Sequence, residues 1–400
     1  MNTNHSETPS SIDPIAREMG KMPDGSTEKA ENPCCCCCCV AGNQQESRQK
    51  PPNTPAPWVL GTLDTPVGAV PQVTTRLRLT DHLGAWCVRW AINRMGYRVP
   101  PGLYAVGTPS PDSPVLVSAN YKMSFDRLRS QLSGLDAWIL VLDTQGVNVW
   151  CAAGKGTFGT DELVRRIGQY NVLGLTSHGT VIVPQLAAPG VAAHEVRKRT
   201  GVRVVYGPVR AEDLPAFLAA GMKATSQMRR ALFPFRDRVA LIPVELVMTA
   251  KWPVFLAGLI LILAGLGRDG YAWSRVLEIG LPSAALVLLT SAASLVLGPA
   301  LLPWLPGRAF SLKGFWIGTA LLLTFIACGW FPTALGHDWA STLAWCLLMP
   351  ATASILVMKF TGASTYTSLS GVRHEMRVAL PLQLAFAILG LVLWLIGRFL

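Results

Sequence analysis

Charge almost vanishes after residue 240, and that constrains the fold more than any other feature of the chain. Lys and Arg together number 35 and Asp and Glu 24 over 400 residues, and most of them precede that point. Uncharged stretches run over 252–267, 279–307, 314–336, 339–358 and 378–397. About 20 apolar residues cross the hydrocarbon core of a bilayer. The pattern therefore predicts an α-helical membrane domain over 241–400 with five transmembrane helices, at about 246–267, 279–303, 314–336, 339–358 and 378–397. The first stretch is short and spans only if Leu246 to Ala250 extend it and Lys251 snorkels to the interface. Pro299, Pro303, Pro332 and Pro350 fall in or beside spans, where neighbouring helices can satisfy the freed carbonyls.

With the N-terminal half inside, the inner segments hold Arg229, Arg230, Arg236, Arg238, Arg308, Lys313, Lys359, Arg373 and Arg377, against Arg268, Arg275 and Arg398 outside. The positive-inside rule then predicts a multi-pass protein of the cytoplasmic membrane with its large domain in the cytoplasm and its C-terminus outside. This asymmetry accounts for much of the net charge of +11. No basic run is interleaved with aromatics, so nucleic acid is not an expected partner, whereas membrane lipid is.

Residues 1–57 are rich in Pro, Ser, Asn and charge, lack the apolar core of a signal peptide and are expected to be a disordered extension. Cys34 to Cys39 form an unbroken run of six cysteines. Zinc and iron–sulfur sites need spacers that let several sulfurs converge, so the run reads as low-complexity tail, with soft-metal scavenging or lipidation as the functional alternative. A cytoplasmic setting argues against structural disulfides among Cys87, Cys151, Cys328 and Cys346.

Residues 58–240 read as an α/β domain of Rossmann-like type. β-prone runs at 102–106, 115–118, 137–142, 180–183 and 203–206 alternate with helical patterns at 124–132, 160–170, 191–198 and 211–220. That alternation predicts a mostly parallel sheet with helices on both faces and a ligand site beyond the carboxyl ends of its strands.

After the apolar strand AWILVLD the chain reads Asp143-Thr-Gln-Gly-Val-Asn148-Val-Trp-Cys151-Ala-Ala-Gly-Lys155-Gly-Thr-Phe-Gly-Thr160. A phosphate loop fails here, because Val149 stands where its first Gly belongs and Gly156 where Ser or Thr must follow the Gly-Lys pair. No GxGxxG opens a helix after an early strand either. The alternative is a short helix, capped by Asn148, running over Val149 to Lys155 and stopped by Gly156. Cys151 would lie in its first turn, where the helix dipole favours thiolate, with Lys155 at i+4 on the same face. Ala152, Ala153 and Gly154 are small enough for a large flat group to approach. A buried structural cysteine in a strand-to-helix turn is the competing reading.

NVWCAAGK, at 148–155, resembles without a substitution the cap-helix signature of the HgcA family, the membrane-bound corrinoid proteins of mercury-methylating anaerobes. The resemblance extends to DHLGAWCVRW at 81–90, PGLYAVGTPSPDSPVLVSANYKMSFDRLR at 101–129, GTFGTDEL at 156–163, VPQLAAPGV at 183–191 and FTGASTYTSLSGV at 360–372, and covers 58–400. The poly-cysteine extension departs from it, as does Cys87, where the family pattern leads one to expect Lys. The resemblance implies a corrinoid of cobalamin type held by Asn148, Val149, Trp150, Cys151, Ala152, Ala153, Gly154 and Lys155. Cys151 would be the lower axial ligand of its cobalt, making the chain a corrinoid-dependent methyltransferase that transfers a methyl group to Hg(II) and gives methylmercury. It also implies a ferredoxin-like partner with two 4Fe–4S clusters as electron donor and a methyl-tetrahydrofolate-linked methyl donor. The DxHxxG motif that supplies a His ligand in many corrinoid methyltransferases has no counterpart, since Asp81-His82 has the wrong spacing and His178 and His194 lack an Asp two residues upstream. Thiolate donates more charge to cobalt than imidazole does, which suits transfer of a methyl anion equivalent to a soft electrophile.

In 360–372 the hydroxyls of Thr361, Ser364, Thr365, Tyr366, Thr367, Ser368 and Ser370 would form a polar surface loop, or dock the corrinoid domain. Cys328 and Cys346, inside spans, read as small packing residues, with a mercury relay as the alternative. Two other functions remain open: a membrane-associated corrinoid methyl carrier of acetyl-CoA pathway type, and a non-enzymatic corrinoid or metal sensor. The sensor would need polar groups within the spans, which are scarce in the sequence.

Overall fold

The computed structural model describes residues 56–330, 339–363 and 369–400. The run Cys34 to Cys39, Pro332 and the stretch 364–368 lie outside the described residues. One mixed sheet of seven strands organises the first domain: β1 (Val59–Thr65), β2 (Gly68–Val73), β3 (Gly102–Val106), β4 (Val115–Ala119), β5 (Ala137–Leu142), β6 (Thr180–Val183) and β7 (Arg203–Tyr206), in the order β1-β2-β3-β5-β4-β6-β7. Strands β5, β4, β6 and β7 are mutually parallel. They are connected through α2 (Lys122–Ser130), then α3 (Val149–Lys155), α4 (Thr160–Gln169) and α5 (Val172–Leu175), then α6 (Ala193–Thr200); α7 (Leu214–Ala219) follows β7.

The parallel core matches the reading of the sequence, but the other edge does not. β3 runs antiparallel to β5, and β1 and β2 form an antiparallel hairpin that the sequence pattern did not reveal. The connection 107–114 between β3 and β4 is too short for a parallel crossover, which takes a dozen or more residues, so the chain reverses instead. Helix α1 (Leu79–Arg89) links the hairpin to the sheet. The pattern at 211–220 resolves into a 3-10 turn, Ala211–Asp213, and α7.

Alternation along the strands divides the core between two faces. Leu103, Val117, Leu140 and Val181 pack with Ala152, Leu163 and Val196 from α3, α4 and α6, while Tyr104, Leu116, Ile139 and Ile182 pack with Phe125 of α2 and Phe217 of α7. Every residue of β3, β4, β5 and β6 is buried, as expected of strands covered on both sides.

The second domain comprises α8 (Phe235–Val239), α9 (Ile242–Thr249), α10 (Lys251–Ala264), α11 (Trp273–Leu301, opening with a π-helical turn), α12 (Phe310–Ala327), α13 (Trp339–Met358) and α14 (Leu369–Ile396). Four of these, α11 to α14, are long and apolar enough to cross a membrane. A fifth span exists only if 235–249 and 251–264 count as one, and these are bent by 46°. Pro253 explains the break, because its ring has no N–H to donate and clashes with the carbonyl four residues back, that of Thr249. α13 has the boundaries expected, whereas α14 begins nine residues before 378 and takes Arg373, Glu375 and Arg377 into the helix. Glu375 is buried and accepts the Ser311 N–H at 2.6 Å, tying α14 to the start of α12. Pro299, Pro350 and Pro381 lie inside helices, as kinks that lateral packing accommodates.

Candidate functional site

The turn between β5 and α3 is held from the neighbouring strand. Asn120, just beyond β4, accepts the backbone N–H groups of Thr144 and Gly146 on Oδ1 at 3.1 and 2.9 Å and donates from Nδ2 to Asp143 at 3.0 Å. Thr144 Oγ1 donates to the Val147 carbonyl at 2.6 Å. The chain turns through left-handed conformations at Gln145 and Gly146, with φ 56° and 77°. A Cβ on Gly146 would also stand 2.9 Å from the Met95 carbonyl oxygen, so Gly is required there on two counts. Behind this turn Glu162 accepts the Asp143 N–H at 2.9 Å and Arg166 Nε at 2.8 Å. Burial pushes the Glu162 pKa up, but hydrogen bonds from Arg166, the Asp143 N–H and Arg165, with the Arg166 charge, outweigh it and hold the carboxyl below its usual range.

Asn148 caps α3 by accepting the Cys151 N–H on Oδ1 at 2.9 Å, and Gly156 ends the helix at φ 80°. Val149, Ala152 and Ala153 point inward, at 9%, 0% and 4% exposure. A Cβ on Gly190 would lie 3.0 Å from the Ala153 Cα, so the smallness of this inner face serves close packing against the 184–190 turn. The two alanines thus face the protein, and the open face carries Trp150, Cys151, Gly154 and Lys155. Cys151 is half-buried and outside any disulfide; Gly154 and Lys155 are exposed, with no heavy atom within 4 Å of where a Gly154 Cβ would sit.

Beside the start of α3 lies a cleft of about 760 Å³ at the carboxyl ends of the parallel strands. Ser118, Val183 and Gly207 mark the strand ends, and Asn148, Val149 and Trp150 the near wall. This volume falls in the range of cofactor and ligand sites. Cys151 to Lys155 lie on the continuation of α3 and are not part of the cleft lining, so the eight residues expected to hold the cofactor divide between the wall, the open face and the packed interior. His82 lies on the cleft rim. His178 is placed instead at the amino end of β6, bonded to the Ser113 carbonyl at 3.1 Å, and His194 on the exposed side of α6.

The opposite wall, α1, is anchored by a buried charge cluster that no local motif discloses. Lys122 Nζ lies 2.7 Å from Asp81 and 2.6 Å from Asp126, and Arg129, fully buried, donates to Asp81 and Asp126 at 2.8 Å each and to the Thr74 carbonyl at 2.6 Å. Burial raises the Asp81 pKa, but hydrogen bonds from Lys122 and the Arg78 N–H and the charges of Lys122 and Arg129 bring it below the ordinary carboxylate value. The i,i+4 and i,i+3 pairs within α2 could be read from spacing. Their closure by Asp81, 41 residues before Lys122, could not. Among the described residues no three His, Cys, Asp or Glu side chains converge as a metal site.

Fold and site together define a Rossmann-like α/β domain, with a cleft at its strand ends, joined to a bundle of apolar helices. The profile of the family described as CO dehydrogenase/acetyl-CoA synthase delta subunit matches residues 91–218, the part carrying β3 to β7 and α3. Gamma subunits of acetyl-CoA decarbonylase/synthase complexes are similar to it. That of Methanosarcina acetivorans is 30% identical over 121 residues, 29% of this chain and 25% of that protein. That of Methanopyrus kandleri is 31% identical over 122 residues, 30% of this chain and 26% of that protein. The chain spans about a quarter of the length of these relatives.

Proposed function

We propose that this chain is a membrane-anchored corrinoid protein that carries a methyl group, with Cys151 as the lower ligand of cobalt. The observation that carries the reading is a single half-buried thiol on a rigidly capped turn, at the ligand end of a domain similar to subunits of a one-carbon enzyme complex. A corrin supplies four nitrogen donors of its own, so one protein donor suffices and no converging ligand set is needed. The residues fit such a group: Gly154 leaves the outer face of α3 open, and the adjoining cleft accommodates a large, partly apolar ligand. When bound, the cofactor supplies a cobalt that accepts and releases methyl groups.

The chain's own part is positional. Asn120 and Thr144 fix the β5–α3 turn, Asn148 fixes the Cys151 backbone, and the inner alanines seat α3 against the core. The thiol is thereby carried on an element fixed at its start by hydrogen bonds and along its inner face by packing, which is the kind of support that a ligand or catalytic group requires.

Two acceptors follow from different observations. The names of the relatives favour methyl carriage within one-carbon metabolism, and the NVWCAAGK resemblance with its thiolate favours transfer to Hg(II) to give methylmercury. In either case a reducing partner of ferredoxin type with two 4Fe–4S clusters and a methyl-tetrahydrofolate-linked donor would serve the same site from the cytoplasmic side, the apolar helices holding it in the cytoplasmic membrane. Purified protein reconstituted with hydroxocobalamin should show a cobalamin band that shifts when Cys151 is replaced by Ala. That variant should lose methylmercury formation from Hg(II), and a methylmercury rate equal to wild type would overturn the ligand assignment. A wild-type protein that methylates a folate or thiol acceptor but not Hg(II) would select the one-carbon reading.

A further inference from the structure

The segment matched by the family profile does not build the whole cleft. Residues 91–218 supply the strand ends and α3, whereas α1 precedes that segment and α8 follows it. Both nevertheless line the cleft, α1 with Trp86 and Arg89 and α8 with Arg236. α8 belongs structurally to the membrane domain: it packs on α11, and its Arg238 lies 5.7 Å from the ring of Trp304 just beyond that helix. Next to Arg236, Asp237 bonds Arg210 of the α/β domain at 2.6 Å, which latches the membrane-side element over the cleft.

The chemistry of this added wall is distinctive. Trp86 is 59% exposed and Trp150, on the α3 wall, 41% exposed, so two indoles present open surface to one cavity. The two carboxylates among the lining residues that could neutralise a cation there, Asp81 and Asp126, are both engaged by Lys122 and Arg129. The guanidinium groups of Arg89 and Arg236 have neither a hydrogen bond nor an ion pair among the described residues. Guanidinium groups without internal partners at the mouth of a large cleft select an anionic oxygen group, and phosphate best matches their planar fork.

We infer that Trp86, Arg89 and Arg236, which lie outside the residues 91–218 matched by the family profile, form a wall that grips the anionic side arm of the cofactor. The inference rests on the corrinoid reading above. Trp86 supplies apolar contact to the ligand, and the arginines meet the single phosphodiester that a complete corrinoid carries in its nucleotide loop. Because Arg236 sits on α8, the membrane domain takes part in holding the ligand and does more than anchor the domain.

The test uses the full chain in lipid nanodiscs, titrated by absorbance with hydroxocobalamin and with diaquocobinamide, which lacks the phosphodiester. The double variant Arg89→Gln, Arg236→Gln should bind cobalamin about tenfold more weakly while cobinamide affinity changes less than about twofold. Trp86→Ala should weaken both ligands by about tenfold, and Trp86→Phe should recover most of that loss. Arg197→Gln, on α6 away from the cleft, should change neither, and thermal melts without ligand show whether each variant is folded. Wild-type affinity for cobalamin in the arginine double variant would overturn the inference, as would an equal loss for both ligands. Failure of the wild-type chain to bind either corrinoid would overturn the functional proposal as well, and so distinguishes the two.

Discussion

Both domains bury polar groups, but they satisfy them in different ways. In the α/β domain four buried charges form a closed set in which Lys122 and Arg129 each meet Asp81 and Asp126, joining α1, α2 and the end of β2. In the helical domain the polar groups are settled by backbone or in short, mostly neutral chains: Lys313 donates to the Leu302 and Leu305 carbonyls, Gln383 to Ser354 and Ser354 in turn to the Ser311 carbonyl at 2.7 Å each, and Arg398 to Ser341 at 2.8 Å. The hydroxyls of Ser283, Thr290 and Ser291 and the indole N–H of Trp345 have no partner among the described residues. The spans thus hold more buried polar groups than the sequence pattern indicated. A cluster of buried charges binds distant segments into one geometry, whereas the bonds of the bundle join neighbouring helices one contact at a time.

Breaking the charge cluster should have the largest effect. Arg129→Ala leaves two buried carboxylates facing one lysine, and loss of one partner from a buried ion set costs about 3–5 kcal/mol. Denaturant unfolding of the purified chain, followed by near-ultraviolet signals of the α/β domain, should show a destabilisation of that size, and a loss below about 1 kcal/mol would show that water or relaxation replaces the guanidinium. The same cluster sets an acid limit. Because the folded Asp81 pKa lies below its unfolded value, its contribution is complete above the ordinary carboxylate value, near pH 4, and is lost as pH falls through the folded pKa. Asp81→Asn should remove that part of the acid slope while lowering stability at neutral pH.

The two regions were unequally legible in the sequence. α3 could be read to the residue, because an Asn cap and a terminating Gly are local signals. The cleft could not, since its far wall depends on contacts between residues 41 and 48 positions apart and on an α8 that arrives from the membrane side. Ala152 and Ala153 show the limit of composition: their size was legible, but which side of the helix used it depended on the approach of Gly190. In the membrane half, hydropathy located four long apolar helices, gave as a fifth span a segment that the structure bends at 250, and missed the start of α14, because Arg373, Glu375 and Arg377 lower the apolar signal of residues that are nonetheless helical.

Close packing of spans is the next point at which the contrast can be tested. Gly314 and Gly318 form a GxxxG pair on α12, and an added Cβ would stand 2.5 Å from the Ala353 carbonyl oxygen at the first and 2.5 Å from the Pro350 Cα at the second. Gly318→Val should force α12 and α13 apart at a cost of about 1–3 kcal/mol. The change should appear as a lower melting temperature in detergent, with corrinoid affinity at the cleft unchanged. A parallel loss of ligand binding would instead mean that the bundle and the cleft respond as one unit, as the position of Arg236 allows.

The smallest effect should come from Gln383→Leu. Gln383 is buried and donates to Ser354 Oγ, while its own carbonyl oxygen has no partner among the described residues. Removing it costs one interhelical hydrogen bond, for which about 0.6 kcal/mol is typical within membranes. It also removes an unsatisfied buried acceptor, which offsets part of that cost. The net change in detergent or bilayer unfolding should therefore be within about 0.5 kcal/mol. A loss comparable to that of Arg129→Ala would mean that the chain of bonds from Gln383 through Ser354 and Ser311 to Glu375 acts as one cooperative unit, and that the spans are held in the same manner as the α/β domain.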